Sequence, residues 1–318
     1  MRAAIVSQLG LTPAVGELPA PRPGPGQALV ELAAAAVNPV DLAIAGGTFY
    51  GGHPPLPFAA GREGTARVLA GSAFAAGTRV HTLKAATGSL AERFLIDEAS
   101  SWQLPDGDDD VVAASLGIAG LAGWLAVEER ARLQPGERVL VLGATGTVGL
   151  VAVQAARLLG AGRIVAAGRD GGRLLRAREL GADAVVHLGE VDDLERAFCD
   201  AFDGNGPDVV IDPLWGAPAV AAIKATVMNG RIVNLGQSAG AEATLASATV
   251  RGKRLQIIGH TVFEVPIEQL SQAHRTMLGH ARDGALVVDA ETFPLGRAAE
   301  AWERQKQGPH TKLVITPD

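Results

Sequence analysis

The sequence predicts an α/β protein in which a doubly wound parallel sheet is joined to a second, β-rich domain. Three observations carry that expectation. Between 137 and 260, near-continuous apolar runs alternate with helical patterns, the signature of parallel strands covered on both faces. Before 110, the runs are short and punctuated by clusters such as "PAPRPGPGQ" and "GGHPPLPF", as in a turn-rich β domain. At 318 residues, the chain has material for two cores.

In order, "AAIVSQ", "ALVELAAAAV", "GTARVLA", "RVHTL" and "AERFLI" supply the short strands. The stretch 111–127, "VVAASLGIAGLAGWLAV", carries no charge over 17 residues and sits at the short edge of a spanning helix. It is rich in Ala and Gly and bracketed by acids, so it reads as a buried helix or a pair of short ones. Six βα-type strands follow: "RVLVLG" before a helix at 147–159, "RIVAAG" before 170–180, "DAVVHL" before 191–203, "PDVVIDPL" before 216–228, then "RIVNLG" and "LQIIGH". A helix around 264–282 and a closing strand, "TKLVITP", end the chain.

Apolar residues make up 47% and charged residues 19%, the composition of a folded protein. A net charge of −6 gives no broad footprint for nucleic acid. One cysteine, Cys199, excludes an internal disulfide and a multi-cysteine zinc site, and fits a cytoplasmic setting. "MRAAIVSQLG" lacks the apolar core of a signal peptide, so no secretory leader is expected.

The motif that carries chemistry is "VLVLGATGTVGLVAVQAARLLG", 139–160. A strand ends at Leu142, then Gly143, Gly146 and Gly149 lead into a helix. Glycines permit the tight turn and let the backbone approach a pyrophosphate, which meets free N–H groups at the helix start. In the G-x-G-x-x-G register, Ala144 takes the first glycine's place, and Thr145, Thr147 and Val148 complete the loop. Strand before and helix after, within a repeated βα region, make this a Rossmann dinucleotide turn. A Walker phosphate loop needs Lys-Ser/Thr where Leu150–Val151 stand. "GATGTVG" also opens short-chain dehydrogenases, but there it is N-terminal and accompanied by a Tyr with Lys four residues on. Here the only tyrosine is Tyr50, and Pro54 holds the lysine position.

An acid that holds the adenosine ribose is expected about 20 residues past the turn, at the second strand's end. Gly168 stands there, in "VAAGRDGGR". A carboxylate would repel a 2′-phosphate; a glycine leaves room for one, and Arg169 and Arg173 supply charge for it. The same arginines also suit the solvated start of a helix. The cofactor expected is NADPH. Asp212, after the fourth strand, and Leu235–Gly236–Gln237, after the fifth, are expected to finish its pocket.

The chain resembles the medium-chain dehydrogenase/reductase superfamily, and within it the zinc-free quinone oxidoreductase branch. "VNPVD" (37–41), "GREGTARV" (61–68), "LAERFLI" (90–96), "GERVLVLGATGTVG" (136–149), "GPDVVIDPLWG" (206–216), "GRIVNLGQSAG" (230–240) and "HTKLVI" (310–315) carry the resemblance. It implies a barrel-like, GroES-like catalytic domain built from 1–112 and 261–318, a Rossmann domain over 113–260, and an active site in the cleft. It also implies a homodimer with the last Rossmann strand, about 255–259, at the interface. Where zinc-dependent relatives carry a Cys and a His, the matching positions hold Asn38 and Arg62, and no metal is expected.

Without zinc, charge developing on an acceptor oxygen needs hydrogen-bond donors or a proton, which favours activated acceptors: a quinone or an α,β-unsaturated carbonyl. Asn38, placed by the resemblance beside the nicotinamide, is one candidate donor; an asparagine before Pro39 also suits a plain turn. Asp41 is expected to hold the local loop. Tyr50 or its neighbour Phe49, in "GGTFYGGH", is expected to face the substrate, a phenol there donating its proton or stacking on a quinone ring; an aromatic that only packs the loop is the alternative. Arg62 orients substrate or pairs with an acid such as Glu63. Ala122 replaces a threonine that relatives often carry, making the site more apolar. The function expected is an NADPH-dependent reductase of quinones or enones. Its alternatives are an enoyl reductase of a biosynthetic pathway and a non-catalytic NADPH-binding sensor or structural protein. No nucleic acid and no membrane insertion are expected.

Overall fold

The computed structural model describes all 318 residues, Met1–Asp318. The chain divides into two compact units: Met1–Ala119 with Val265–Gly284 and Val288–Asp318, and Gly120–Glu264 with Ala285–Val287.

The first unit opens with β1 (Arg2–Val6), β2 (Ala14–Glu17) and β3 (Gln27–Val37). In β3, "QALVELAAAAV" alternates at its start and is then almost wholly buried, because small alanines let neighbours pack on both faces. A short helix, α1 (Pro39–Ala45), follows where the sequence read only a turn; Pro39 at its first position is preset for helical entry. Next come β4 (Phe58–Ala59), β5 (Gly64–Ala70), β6 (Arg79–Thr82), β7 (Arg93–Asp97) and β8 (Ser101–Gln103). The uncharged stretch forms two short helices, α2 (Asp110–Ser115) and α3 (Ile118–Leu125). No helix of the structure is long and apolar enough to cross a membrane.

The second unit alternates β9 (Arg138–Val141), α4 (Thr147–Leu158), β10 (Arg163–Gly168), α5 (Gly171–Glu179), β11 (Ala184–His187), α6 (Leu194–Ala201), β12 (Val209–Asp212), α7 (Gly216–Ala225), β13 (Arg231–Asn234), α8 (Ser247–Gly252) and β14 (Gln256–Gly259). The six strands are parallel, in the order β11-β10-β9-β12-β13-β14. The order reverses between β9 and β12, the switch point where such sheets bind ligands at their carboxyl ends.

The chain then returns to the first unit as α9 (Ile267–Arg282), β15 (Ala290–Pro294), α10 (Ala298–Lys306) and β16 (Lys312–Thr316). β16 runs antiparallel to β3, with Leu313 opposite Val37, and β15 adds parallel to β16. The sheet order is β15-β16-β3-β5-β6-β8, with β7 also on β3. Its core gathers Leu90, Phe94, Ile96, Phe293, Trp302 and Ile315, so both ends of the chain share one core.

Candidate active site

In the second unit, β9 delivers the chain into the glycine turn. Gly143 takes a φ of +60°, open to glycine at no steric cost. Ala144 is fully buried, and its N–H donates to the Ala167 carbonyl at 2.9 Å, tying the turn to β10. Ala144 is therefore part of the frame. Gly146 caps α4 with extended backbone and no side-chain cap. The first N–H groups of a helix lack helical partners; here the Thr147 and Val148 N–H groups are offered without a competing side chain, while the Gly146 N–H donates to the Gly143 carbonyl at 3.2 Å. Gly149 packs within 2.6 Å of Ala144 Cα if given a Cβ, so the helix rests directly on the turn. The turn fits a pyrophosphate on these grounds.

At the end of β10, a Cβ on Gly168 would run into Thr145 Cγ2. Gly168 therefore does two things: it removes a carboxylate and it admits the Thr145 methyl. Arg169 is exposed. Arg173 is half-buried, and its Nε donates to the Thr145 carbonyl at 3.5 Å, so it leans across the glycine turn. Asp170 caps α5 by accepting from the Arg173 N–H at 3.0 Å.

The loops after β12 and β13 carry the remaining expected pocket residues. Asp212 is fully buried, and its carboxylate accepts from the Leu214 and Trp215 N–H groups at 2.9 Å and from Asn234 Nδ2 at 3.1 Å. Its side chain shapes the loop. Leu235 and Gly236 are half-buried and Gln237 is exposed at the end of β13.

In the first unit, a cavity of about 250 Å³ is lined by Asp41, Phe49, His53, Phe58, Arg62 and Lys84, among others. Of the two aromatic candidates, Phe49 lines it. Tyr50 is 81% exposed and lies against Phe49 with ring centroids 4.5 Å apart. The Arg62 guanidinium sits over the Phe49 ring at 5.5 Å, a cation–π contact. The oxygens of Glu63, the acid named as an alternative partner for Arg62, accept from Asn38 Nδ2 and the Ile118 N–H.

Behind the cavity lies a buried polar cluster that the sequence did not disclose. Asn38 is 1% exposed and Glu63 fully buried. Asn38 Nδ2 donates to Glu63 Oε1 at 2.6 Å and to the Ala36 carbonyl at 3.3 Å, while Asn38 Oδ1 accepts from the Lys312 ammonium. Glu63 Oε2 accepts from the Ile118 N–H at the start of α3. Both Asn38 Nδ2 hydrogens are thus bonded inside the cluster. Asp41 Oδ2 accepts from the Asn38 N–H at 2.7 Å, as the loop-holding role requires, while Oδ1 has no hydrogen bond.

Burial pushes Glu63 up to about 7 and Asp41 up to about 6, against the pull of Lys312; burial also lowers Lys312. His81, fully buried 3.9 Å from Glu63 Oε2, packs at a tilt of 46° against both His274 and Trp102. Trp102 Nε1 donates to His274 Nδ1 at 3.1 Å, so His274 Nε2 carries the proton and donates to the Ala113 carbonyl at 3.0 Å. Burial keeps both imidazoles neutral, His274 at about 4. A Cβ on Gly117 would strike Glu63 Oε2, so the break between α2 and α3 makes room for the carboxylate. The signal for this cluster was Lys312 within the apolar run "TKLVIT", since lysine is rarely buried without a partner.

No group of three or more His, Cys, Asp or Glu side chains is arranged to hold a metal ion. Cys199 lies half-buried in the second unit, its thiol pushed up by burial. The residues present do not fit a zinc site.

Two family models match, the alcohol dehydrogenase GroES-like domain over residues 24–172 and the zinc-binding dehydrogenase domain over 147–278. The chain is 30% identical over 292 residues to a quinone oxidoreductase of Pongo abelii, covering 90% of this chain and 87% of that one. It is 33% identical over 218 residues to a phenolphthiocerol/phthiocerol polyketide synthase of Mycobacterium tuberculosis, covering 67% of this chain and 10% of that one. A mycobacterial protein solved in complex with NADPH has the same fold, with a TM-score of 0.88, 23% identity and full coverage of both chains.

Proposed function

The chain belongs to the quinone oxidoreductase branch of the medium-chain dehydrogenase/reductase superfamily, and from that premise we propose that it is an NADPH-dependent, zinc-independent reductase of quinones or α,β-unsaturated carbonyls. The observation that carries the cofactor assignment is the end of β10. Gly168 offers no carboxylate, and Arg173 leans over the Thr145 carbonyl beside it. Gly146, Thr147 and Val148 hold the pyrophosphate at the start of α4. Arg169 and Arg173 hold the 2′-phosphate, and Leu235, Gly236 and Gln237 border the remainder. Bound NADPH supplies hydride, the difficult part of the chemistry.

The acceptor occupies the cavity of the first unit. Phe49 and Phe58 give it an apolar, aromatic wall. The Arg62 guanidinium supplies donors for the charge that grows on the acceptor oxygen. The cluster behind it, Asn38, Glu63 and Lys312, acts by position: it fixes α1 and the wall that carries Asp41. In the homodimer, β14 is the fitting edge, since it ends the sheet with Gln256 and Ile257 exposed. A cytoplasmic setting accords with the lone Cys199.

Enoyl reduction within a biosynthetic pathway is the second reading, favoured by the similarity to the polyketide synthase. NADPH oxidation with a panel of quinones, small enones and enoyl thioesters tests both. Quinone or enone turnover with kcat/KM higher for NADPH than for NADH is expected. Turnover of thioesters alone favours the second reading. Tight NADPH binding without any turnover overturns both and leaves a sensor.

A further inference from the structure

We propose that the cavity of the first unit selects conjugated acceptors that carry a carboxylate, with Lys84 as the selecting residue. This rests on the reductase reading and names its substrate class. The cavity, about 250 Å³, is small against ligand sites of about 300–1,000 Å³, so it suits one compact conjugated system. Phe49 and Phe58 provide the planar wall, and glycines at 51, 52, 61 and 88 keep the rest thin.

The chain has five lysines. Four have their ammonium groups engaged: Lys224 faces Glu195, Lys253 reaches the Lys224 and Thr226 carbonyls, Lys306 meets Thr12 and Glu303, and Lys312 meets Val37 and Asn38. Lys84 is exposed, its ammonium has no hydrogen bond or ion pair, and it lies in the cavity wall. Its position is set by the backbone. The Lys84 N–H donates to Thr82 Oγ1 at 3.1 Å, and the Ala85 N–H donates to the Arg62 carbonyl at 2.7 Å. Lys84 and Arg62 therefore enter the cavity from hydrogen-bonded segments.

The only carboxylate in the lining is Asp41, 3% exposed and already bonded to the Asn38 N–H. Asp41 offsets the charge of Arg62, so Lys84 is the uncompensated cation of a wall with no solvent-facing acid, and it attracts an anion. The planar, half-buried Arg62 suits the reacting carbonyl oxygen. Lys84, a mobile point charge at the exposed side, suits a remote carboxylate without demanding bidentate geometry.

The test uses the full-length enzyme with NADPH and three acceptors: benzalacetone, its para-carboxylate and the methyl ester of that acid. The carboxylate is expected to exceed the ester by about fivefold in kcat/KM at low salt, a ratio that shrinks at high salt. In Lys84→Gln the ratio falls to near one; in Lys306→Gln, a distant lysine, it persists. Equal kcat/KM for carboxylate and ester in the wild type overturns the proposal and leaves the reductase reading standing. If no acceptor is reduced, the reductase reading fails, and calorimetric binding of trans-cinnamate decides the pocket. Binding about fivefold weaker in Lys84→Gln sustains the anion site; equal binding overturns it.

Discussion

The Lys312 ammonium is hydrogen-bonded to the side-chain oxygen of Asn38, 274 residues away in sequence, and to the Val37 carbonyl at 3.0 Å. One buried cation thus joins the last strand to the start of α1, which carries Asp41. Removing it leaves Glu63 and Asp41 buried with less opposing charge. Lys312→Met is expected to cost about 3–5 kcal/mol, read as a lower denaturant midpoint. A loss under about 1 kcal/mol would mean that the buried carboxyls are held neutral without the lysine.

The same cluster sets a pH dependence. Glu63 rises from 4.5 unfolded to about 7 folded, so the native state binds the extra proton. Its contribution is complete below about 4.5 and is lost as pH rises through about 7. Asp41 acts in the same sense between its ordinary 3.8 and about 6, while neutral His81 and His274 act oppositely, losing stability as pH falls below 6.5. Glu63→Gln isolates one term. The wild-type stability minus that of Glu63→Gln should fall between about pH 4.5 and 7, by up to roughly 3 kcal/mol. A difference flat with pH across that window would contradict the buried, raised carboxyl.

Phe49 and Tyr50 are adjacent yet differently placed, and their variants should separate. Phe49→Ala removes an aromatic wall of the cavity and the surface on which Arg62 rests. It is expected to lower kcat/KM for the quinone by about tenfold or more, mainly through KM. Tyr50→Phe deletes only a hydroxyl on a side chain that is 81% exposed, and kcat/KM should stay within about twofold. A larger loss in Tyr50→Phe would point to the phenol as a proton donor.

The second unit was legible because its signals are local. Each βα step repeats, and the glycine turn sits between the strand and helix it needs. The first unit was legible as β-rich, but β15 and α10 were missed: "AETFP" is short and barely alternates, and α10 is polar on most of its surface. Of the Lys312–Asn38–Glu63 cluster only Lys312 left a local signal, for a different reason. Its members lie at 38, 63 and 312, and only the pairing of β16 with β3 brings them together. Asp212 was ambiguous because a strand-end acid suits a ligand and a loop equally, and its three bonds show the loop role.

The Gly168–Thr145 contact makes a distinct prediction for cofactor choice. Introducing an acid at 168 is the direct way to favour NADH, since a carboxylate accepts from the ribose hydroxyls and repels a 2′-phosphate. In this chain, a Cβ at 168 meets Thr145 Cγ2, and Thr145 is 6% exposed with little room to turn away. Gly168→Asp alone should therefore distort the glycine turn and weaken both NADPH and NADH, by at least about tenfold in Kd. Thr145→Ser removes the offending methyl and keeps the hydroxyl. The double variant Gly168→Asp/Thr145→Ser should recover NADH binding while NADPH binding stays weak, a reversal measurable by fluorescence titration without any acceptor. If Gly168→Asp alone binds NADH well, Thr145 yields freely and the glycine serves cofactor choice only. If the double variant still prefers NADPH, Arg169 and Arg173 outweigh the new carboxylate, and their alanine variants should then release the preference.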